Sequence, residues 1–127
     1  MKVVALDFGA ARTGVAVSDA TGTLARPVGV VEKAATPAGL DRLVAVVGEH
    51  DAELVLVGLP LTLRGERGEQ ARATEAFVDA LRARLAIPVE TYDERFTTTL
   101  AQQTGGRAPE DAVAAAHLLQ GWLERPR

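Results

Sequence analysis

Three acidic residues stand where predicted elements begin or end, and their side chains are suited to holding metal ions. Asp7 interrupts the apolar run VVALDFG, Glu94 follows the predicted strand IPVETY in the motif DER, and Asp111 opens the last predicted helix. An ionised carboxylate in an apolar interior is costly unless a partner neutralises it. Carboxylate oxygens suit Mg²⁺ or Mn²⁺, and two such ions clamp the attacking and leaving oxygens of a phosphoryl displacement. The three acids therefore predict a two-ion site for phosphodiester hydrolysis.

Each acid also has a purely structural explanation, which the sequence leaves open. Asp7 could accept hydrogen bonds from the turn GAARTG, Glu94 could be a surface acid or a helix cap, and Asp111 suits a first helical turn. Asp111 shares its helical face with three apolar residues, Ala115, Leu118 and Trp122. This placement favours an inward-facing carboxylate, and the convergence of all three acids favours the metal site.

Five strands and four helices are predicted around these acids, in the order βββαβαβαα. Apolar runs predict strands at 2–8, 14–19, about 25–31, 53–60 and 87–92. Helical periodicity predicts helices at 37–50, 69–85, 96–104 and 109–124. Pro27 indicates an edge strand, whereas the continuous apolar run ELVLVGLP is typical of a central parallel strand.

This element order predicts an α/β fold with a five-stranded mixed sheet flanked by helices. The first three strands are expected to be antiparallel, and the other two are expected to be parallel. In open sheets of this kind, functional sites lie beyond the carboxyl ends of the strands. Asp7 and the DER motif both follow such ends, so we expect them at the same edge of the sheet.

Composition restricts the chemistry and the partners. The absence of cysteine excludes disulfides, thiolate metal sites and thiol nucleophiles. A net charge of -3 argues against binding nucleic acid by bulk positive potential, so local arginines or bound cations must supply the attraction. No apolar stretch approaches the roughly 18 residues of a membrane span, and no signal-type segment opens the chain. We expect a single cytoplasmic domain, residues 1–127, with no membrane association.

Four blocks of the sequence resemble the YqgF/RuvX family of bacterial proteins, and together they span essentially the whole chain. They are LDFGAARTGVAVSD, LVGLPLTLRGERG, YDERFTT and EDAVAAAHLLQGWL. The resemblance implies a ribonuclease H-like fold and a nuclease that processes the 5′ end of pre-16S ribosomal RNA or resolves Holliday junctions. It also implies that Asp7, Glu94 and Asp111 are the catalytic ligands of two Mg²⁺ or Mn²⁺ ions.

Six further residues are candidate contacts to a nucleic acid: Arg12, Arg64, Arg67, Arg95, Thr97 and Thr98. A guanidinium such as that of Arg95 can bind a phosphate through two hydrogen bonds, and threonines at a helix start can donate to one. Structural alternatives remain, because Arg95 could pair with Asp93 and Thr97 could be a helix cap. The family usually carries a Lys-Arg pair in its first block, where this chain has Ala11 and Arg12, so one expected cation is absent.

Other functions are compatible with the same residues. A resolvase would cut branched DNA symmetrically and should be a dimer, whereas a nuclease that processes RNA can be a monomer. A non-catalytic RNA-binding factor fits the thin basic content, and an actin-like phosphate-binding lobe fits the small residues of DFGAARTG. The chain has no second lobe of the kind that such nucleotide-binding enzymes close around their ligand, which disfavours the last alternative.

Overall fold

Five strands in one sheet and three helices make up the part of the chain that the computed structural model describes, residues 1–60, 68–93 and 110–125. The strands are β1 (Val3–Asp7), β2 (Arg12–Ser18), β3 (Ala25–Glu32), β4 (Leu54–Leu59) and β5 (Val89–Asp93). The helices are α1 (Pro37–Glu49), α2 (Glu69–Arg82) and α3 (Glu110–Leu123). None of these three helices is long and apolar enough to cross a membrane. The predicted helix at 96–104 lies outside the described residues.

The strand order is β3-β2-β1-β4-β5, which confirms the predicted mixed sheet. β1 pairs antiparallel with β2, and β2 pairs antiparallel with β3. β4 is parallel to both β1 and β5, and all six of its residues are buried, as its continuous apolar run predicted. β3, which contains Pro27, forms an edge of the sheet, where a residue without an N–H leaves no ladder position unpaired.

Alternation along β1 divides the core between the two faces of the sheet. Val4 and Leu6 belong to the cluster that contains residues of α1 and α2. Val3 and Ala5 belong to the cluster that contains residues of α3. Because successive side chains of a strand point to opposite faces, Asp7 lies on the α3 face.

A local signal accounts for the start of α1 but not for the end of α2. Thr36 caps α1 as predicted, because its hydroxyl oxygen accepts a hydrogen bond from the Gly39 N–H at 3.2 Å. α2 ends at Arg82, three residues before the predicted end at 85. Leu85 lies beyond the end of α2 but still packs against the core, so its apolar side chain correctly predicted burial and wrongly predicted a helical residue.

The side chain of Gln120 ties α3 to the connection between β2 and β3. Its Oε1 accepts from the Ala25 N–H at 2.8 Å, and its Nε2 donates to the Thr23 carbonyl at 3.0 Å. Asp19 stabilises the same connection, because its carboxylate accepts hydrogen bonds from the backbone N–H groups of Leu24 and Thr23. These hydrogen bonds hold the pKa of Asp19 below its usual value. The connection is therefore a fixed support for α3.

Replacing Gln120 by Leu is expected to lower the free energy of unfolding by about 1–3 kcal/mol, because the partly buried Ala25 N–H loses its acceptor. Urea denaturation followed by circular dichroism measures the change. Gln70→Leu, at an exposed position of α2, is the matched control and should change stability by less than about 0.5 kcal/mol. Equal losses for the two variants would contradict a supporting role for Gln120.

Candidate active site

The carboxyl ends of β1, β4 and β5 meet at one edge of the sheet, as the element order predicted. Leu6 of β1 lies opposite Val57 of β4, and Leu59 at the end of β4 lies opposite Asp93 at the end of β5. Neighbouring strands are about 5 Å apart, so the ends of β1 and β5 are separated by about 10 Å. Asp7 and the residue that precedes Glu94 therefore lie at the same edge.

Gly14 lies next to both Asp7 and Asp111, because its backbone pairs with one and is close to the other. It is the ladder partner of Asp7 in the antiparallel pair of β1 and β2, so both residues present the same face of the sheet. A Cβ atom at position 14 would lie 1.8 Å from the carbonyl oxygen of Asp111 and 2.8 Å from the backbone nitrogen of Ala112. The first turn of α3 consequently rests directly on the backbone of Gly14, beside Asp7.

Asp111 forms an ion pair with Arg12, the residue predicted to contact a nucleic-acid phosphate. The Nε of Arg12 lies 3.2 Å from Oδ2 of Asp111, and the two side chains are 66% and 32% exposed respectively. Arg12 begins β2, whereas the sequence prediction started this strand at residue 14. The prediction was short because Arg12 is exposed and carries no apolar signal, although its backbone pairs with Glu32.

The backbone of Lys33 contacts the connection between β1 and β2, which the sequence analysis did not predict. Its backbone N–H donates to the carbonyl of Ala11 at 3.0 Å, next to Arg12. Its φ of 47° is rare for a residue with a side chain, and its carbonyl accepts from both the N–H and the hydroxyl of Thr36. Lys33 is far from Arg12 in the chain, so no local spacing signals that they are neighbours.

The described residues contain two of the three predicted metal ligands. Asp7 and Asp111 are present, whereas Glu94 lies outside the described residues, as do five of the predicted nucleic-acid contacts: Arg64, Arg67, Arg95, Thr97 and Thr98. No group of three potential metal ligands occurs within the described residues alone. Carboxylate oxygens at the end of a strand, with a glycine as lateral neighbour, fit a hard cation such as Mg²⁺ or Mn²⁺.

The fold is shared with solved structures of RuvC and of a viral resolvase. RuvC from Thermus thermophilus, solved in complex with a Holliday junction, superposes with a TM-score of 0.66 at 15% identity, over 95% of this chain and 91% of RuvC. The Fowlpox virus resolvase, solved with Holliday junction DNA, gives a TM-score of 0.58 at 10% identity, over 98% of this chain and 97% of the resolvase. The described chain therefore has the ribonuclease H-like fold of these proteins.

The sequence comparison is more specific than the fold. Residues 1–125 match the model of the RuvX family, which is described as a Holliday junction resolvase family, and the chain belongs to this family. A relative from Chloroflexus aurantiacus is 39% identical, with 98% of this chain and 88% of the relative covered. One from Thermobifida fusca is 43% identical, with 98% and 87% covered. Both relatives carry the name "Putative pre-16S rRNA nuclease". The family resemblance drawn from the sequence blocks is thus confirmed.

Proposed function

We propose that this chain acts as one nuclease domain, residues 1–127, which uses divalent metal ions to hydrolyse phosphodiester bonds at the 5′ end of pre-16S ribosomal RNA in the cytoplasm. The name of its relatives supports the substrate. The observation that carries the chemistry is the contact through Gly14, which joins Asp7 and Asp111 on the α3 face of the sheet. This contact supports a site to which acids from distant parts of the chain contribute.

In the proposed site, Asp7, Glu94 and Asp111 supply the carboxylate oxygens that hold two Mg²⁺ or Mn²⁺ ions. The ions, when bound, lower the pKa of the attacking water and stabilise the charge on the leaving oxygen. Asp7 occupies the central position, at the end of β1 between the ends of its neighbours β2 and β4. Asp111 approaches from α3, and Glu94 directly follows the end of β5. Asp7 ends a strand paired on both sides, and the backbone of Asp111 packs against Gly14, contacts that would limit reorganisation during the reaction.

The remaining proposed residues bind the substrate backbone. Arg12 begins β2 and Lys33 follows β3 with its backbone beside Ala11, so both add positive charge at this end of the sheet in a protein whose net charge is -3. The other proposed phosphate contacts are Arg64, Arg67, Arg95, Thr97 and Thr98. Local cations of this kind provide the salt-dependent part of nucleic-acid affinity.

Resolution of Holliday junctions is the second candidate function. The family description favours it, as does the likeness of the fold to resolvases. The two functions differ in assembly, because paired symmetric cuts require two active sites, whereas one protomer suffices to process an RNA end. We propose a monomer for the RNA activity and a homodimer for the resolvase alternative.

Incubation with a labelled pre-16S RNA fragment and a four-way DNA junction, at matched concentrations, tests the proposal. We expect the RNA to be cleaved with Mg²⁺ or Mn²⁺ and no cleavage in the presence of a chelator, because the carboxylates act through bound cations. Solution mass is measured in parallel. Paired cuts in the junction by a dimer, with intact RNA, would favour the resolvase. Binding of RNA without cleavage in either metal would favour a non-catalytic factor, and ATP hydrolysis would favour the actin-like alternative.

A further inference from the structure

Arg12 binds the carboxylate that the proposed function assigns to a metal ion. The Nε of Arg12 lies 3.2 Å from Oδ2 of Asp111, well within ion-pair distance. We propose that Arg12 and the divalent cation compete for Asp111, so that metal binding releases the Arg12 guanidinium to a phosphate of the nucleic acid. This inference rests on the proposed function, and it makes one side chain the link between metal binding and substrate binding.

Charge is the reason for the competition. Asp111 carries one negative charge, and a guanidinium on one of its oxygens already neutralises it. A dication on the same carboxylate would lie a few ångströms from the guanidinium, where two positive charges repel each other even in partly hydrated surroundings. Arg12 must therefore move away or weaken the binding of the metal.

The replacement of Arg12 by a cation at Asp111 needs only side chains to move, because the backbone of each residue is held in place. The backbone of Asp111 is seated on Gly14, and the backbone of Arg12 is held in the ladder opposite Glu32. The Arg12 side chain is 66% exposed, so it can change rotamer at little cost in packing. Arg12 and Asp7 lie on the face of the sheet that α3, which contains Asp111, covers. A released guanidinium thus remains beside the proposed cleavage site.

Calorimetric titration with Mn²⁺ alone tests the competition without any turnover. We expect Arg12→Gln to bind Mn²⁺ about tenfold more tightly than the wild type, because the competing charge is removed. Arg42→Gln is the matched control, since Arg42 is also an exposed arginine in an ion pair, with Glu49 of α1 on the opposite face of the sheet. The control should bind Mn²⁺ as the wild type does. Arg12→Lys should restore most of the wild-type affinity.

The Nε–H resonance of Arg12 in a ¹⁵N-edited NMR spectrum gives an independent readout. In the wild type it should shift as diamagnetic Mg²⁺ is added, as its ion pair with Asp111 is lost. Asp111→Asn should show the shifted position without Mg²⁺. Binding of a short single-stranded RNA by Arg12→Gln should be weaker than binding by the wild type, and this difference should grow when metal is present.

The outcomes separate this inference from the proposed function. If the wild type binds Mn²⁺ and Asp7→Asn does not, the metal site stands; equal Mn²⁺ affinities for the wild type and Arg12→Gln would then overturn the competition alone. Weaker Mn²⁺ binding by Arg12→Gln would also overturn it, because Arg12 would be a support for Asp111. Failure of the wild type to bind Mn²⁺ would overturn both the competition and the proposed metal-dependent function.

Discussion

Asp7→Asn is expected to abolish metal-dependent cleavage while the protein remains folded. Loss of a residue that only orients a metal ligand typically costs 10–100-fold, so loss of the central proposed ligand should reduce the cleavage rate by more than about a hundredfold. Asparagine keeps the size and one oxygen of the carboxylate but removes its negative charge, which is what draws the cations. The rate is measured on the labelled pre-16S fragment at saturating Mn²⁺.

The matched control for Asp7→Asn is Asp79→Asn, which removes an exposed carboxylate from α2 on the other side of the sheet. The control should cleave at the wild-type rate, and circular dichroism should show the same secondary structure for both variants. Calorimetry should detect weaker Mn²⁺ binding for Asp7→Asn only. A folded Asp7→Asn variant that cleaves within tenfold of the wild-type rate would exclude Asp7 as a ligand on which catalysis depends.

Gly14→Ala is expected to disturb both stability and activity through a single methyl group. The new Cβ atom would stand 1.8 Å from the carbonyl oxygen of Asp111, which is backbone and cannot rotate away. The first turn of α3 must shift, and overpacking of this kind costs about 1–3 kcal/mol of unfolding free energy. A displacement of about 1 Å at a catalytic group can reduce the rate by about a hundredfold. Urea denaturation and the RNA cleavage assay measure the two effects.

Gly29→Ala is the control that separates the steric effect of the added methyl group from its effect on the entropy of the unfolded chain. Gly29 is also a strand glycine, but no atom lies within 4 Å of the place that its Cβ would occupy. This control should leave stability unchanged or slightly raised, because alanine restricts the unfolded chain. Gly14→Ala with wild-type stability and wild-type Mn²⁺ affinity would show that α3 is not held at Gly14 as described.

Elements whose signals are local were predicted well from the sequence. The cap at Thr36 depends on residues within one helical turn, and the burial of Leu54–Leu59 follows from an unbroken apolar run. Boundaries were less accurate where a tertiary contact competes with the local pattern. Arg12 extends β2 because it has a ladder partner, and Leu85 reaches the core from beyond the end of α2.

The same distinction between local signals and tertiary contacts applies to the candidate site. Residue type and position at the ends of predicted elements made Asp7 and Asp111 candidate ligands, and their role as ligands stays a prediction. Their placement on the α3 face through Gly14, the ion pair between Arg12 and Asp111, and the approach of Lys33 to Ala11 were decided only by the tertiary structure. These contacts join segments that are distant along the chain, and their geometry depends on how strands and helix pack, which spacing along a sequence does not encode.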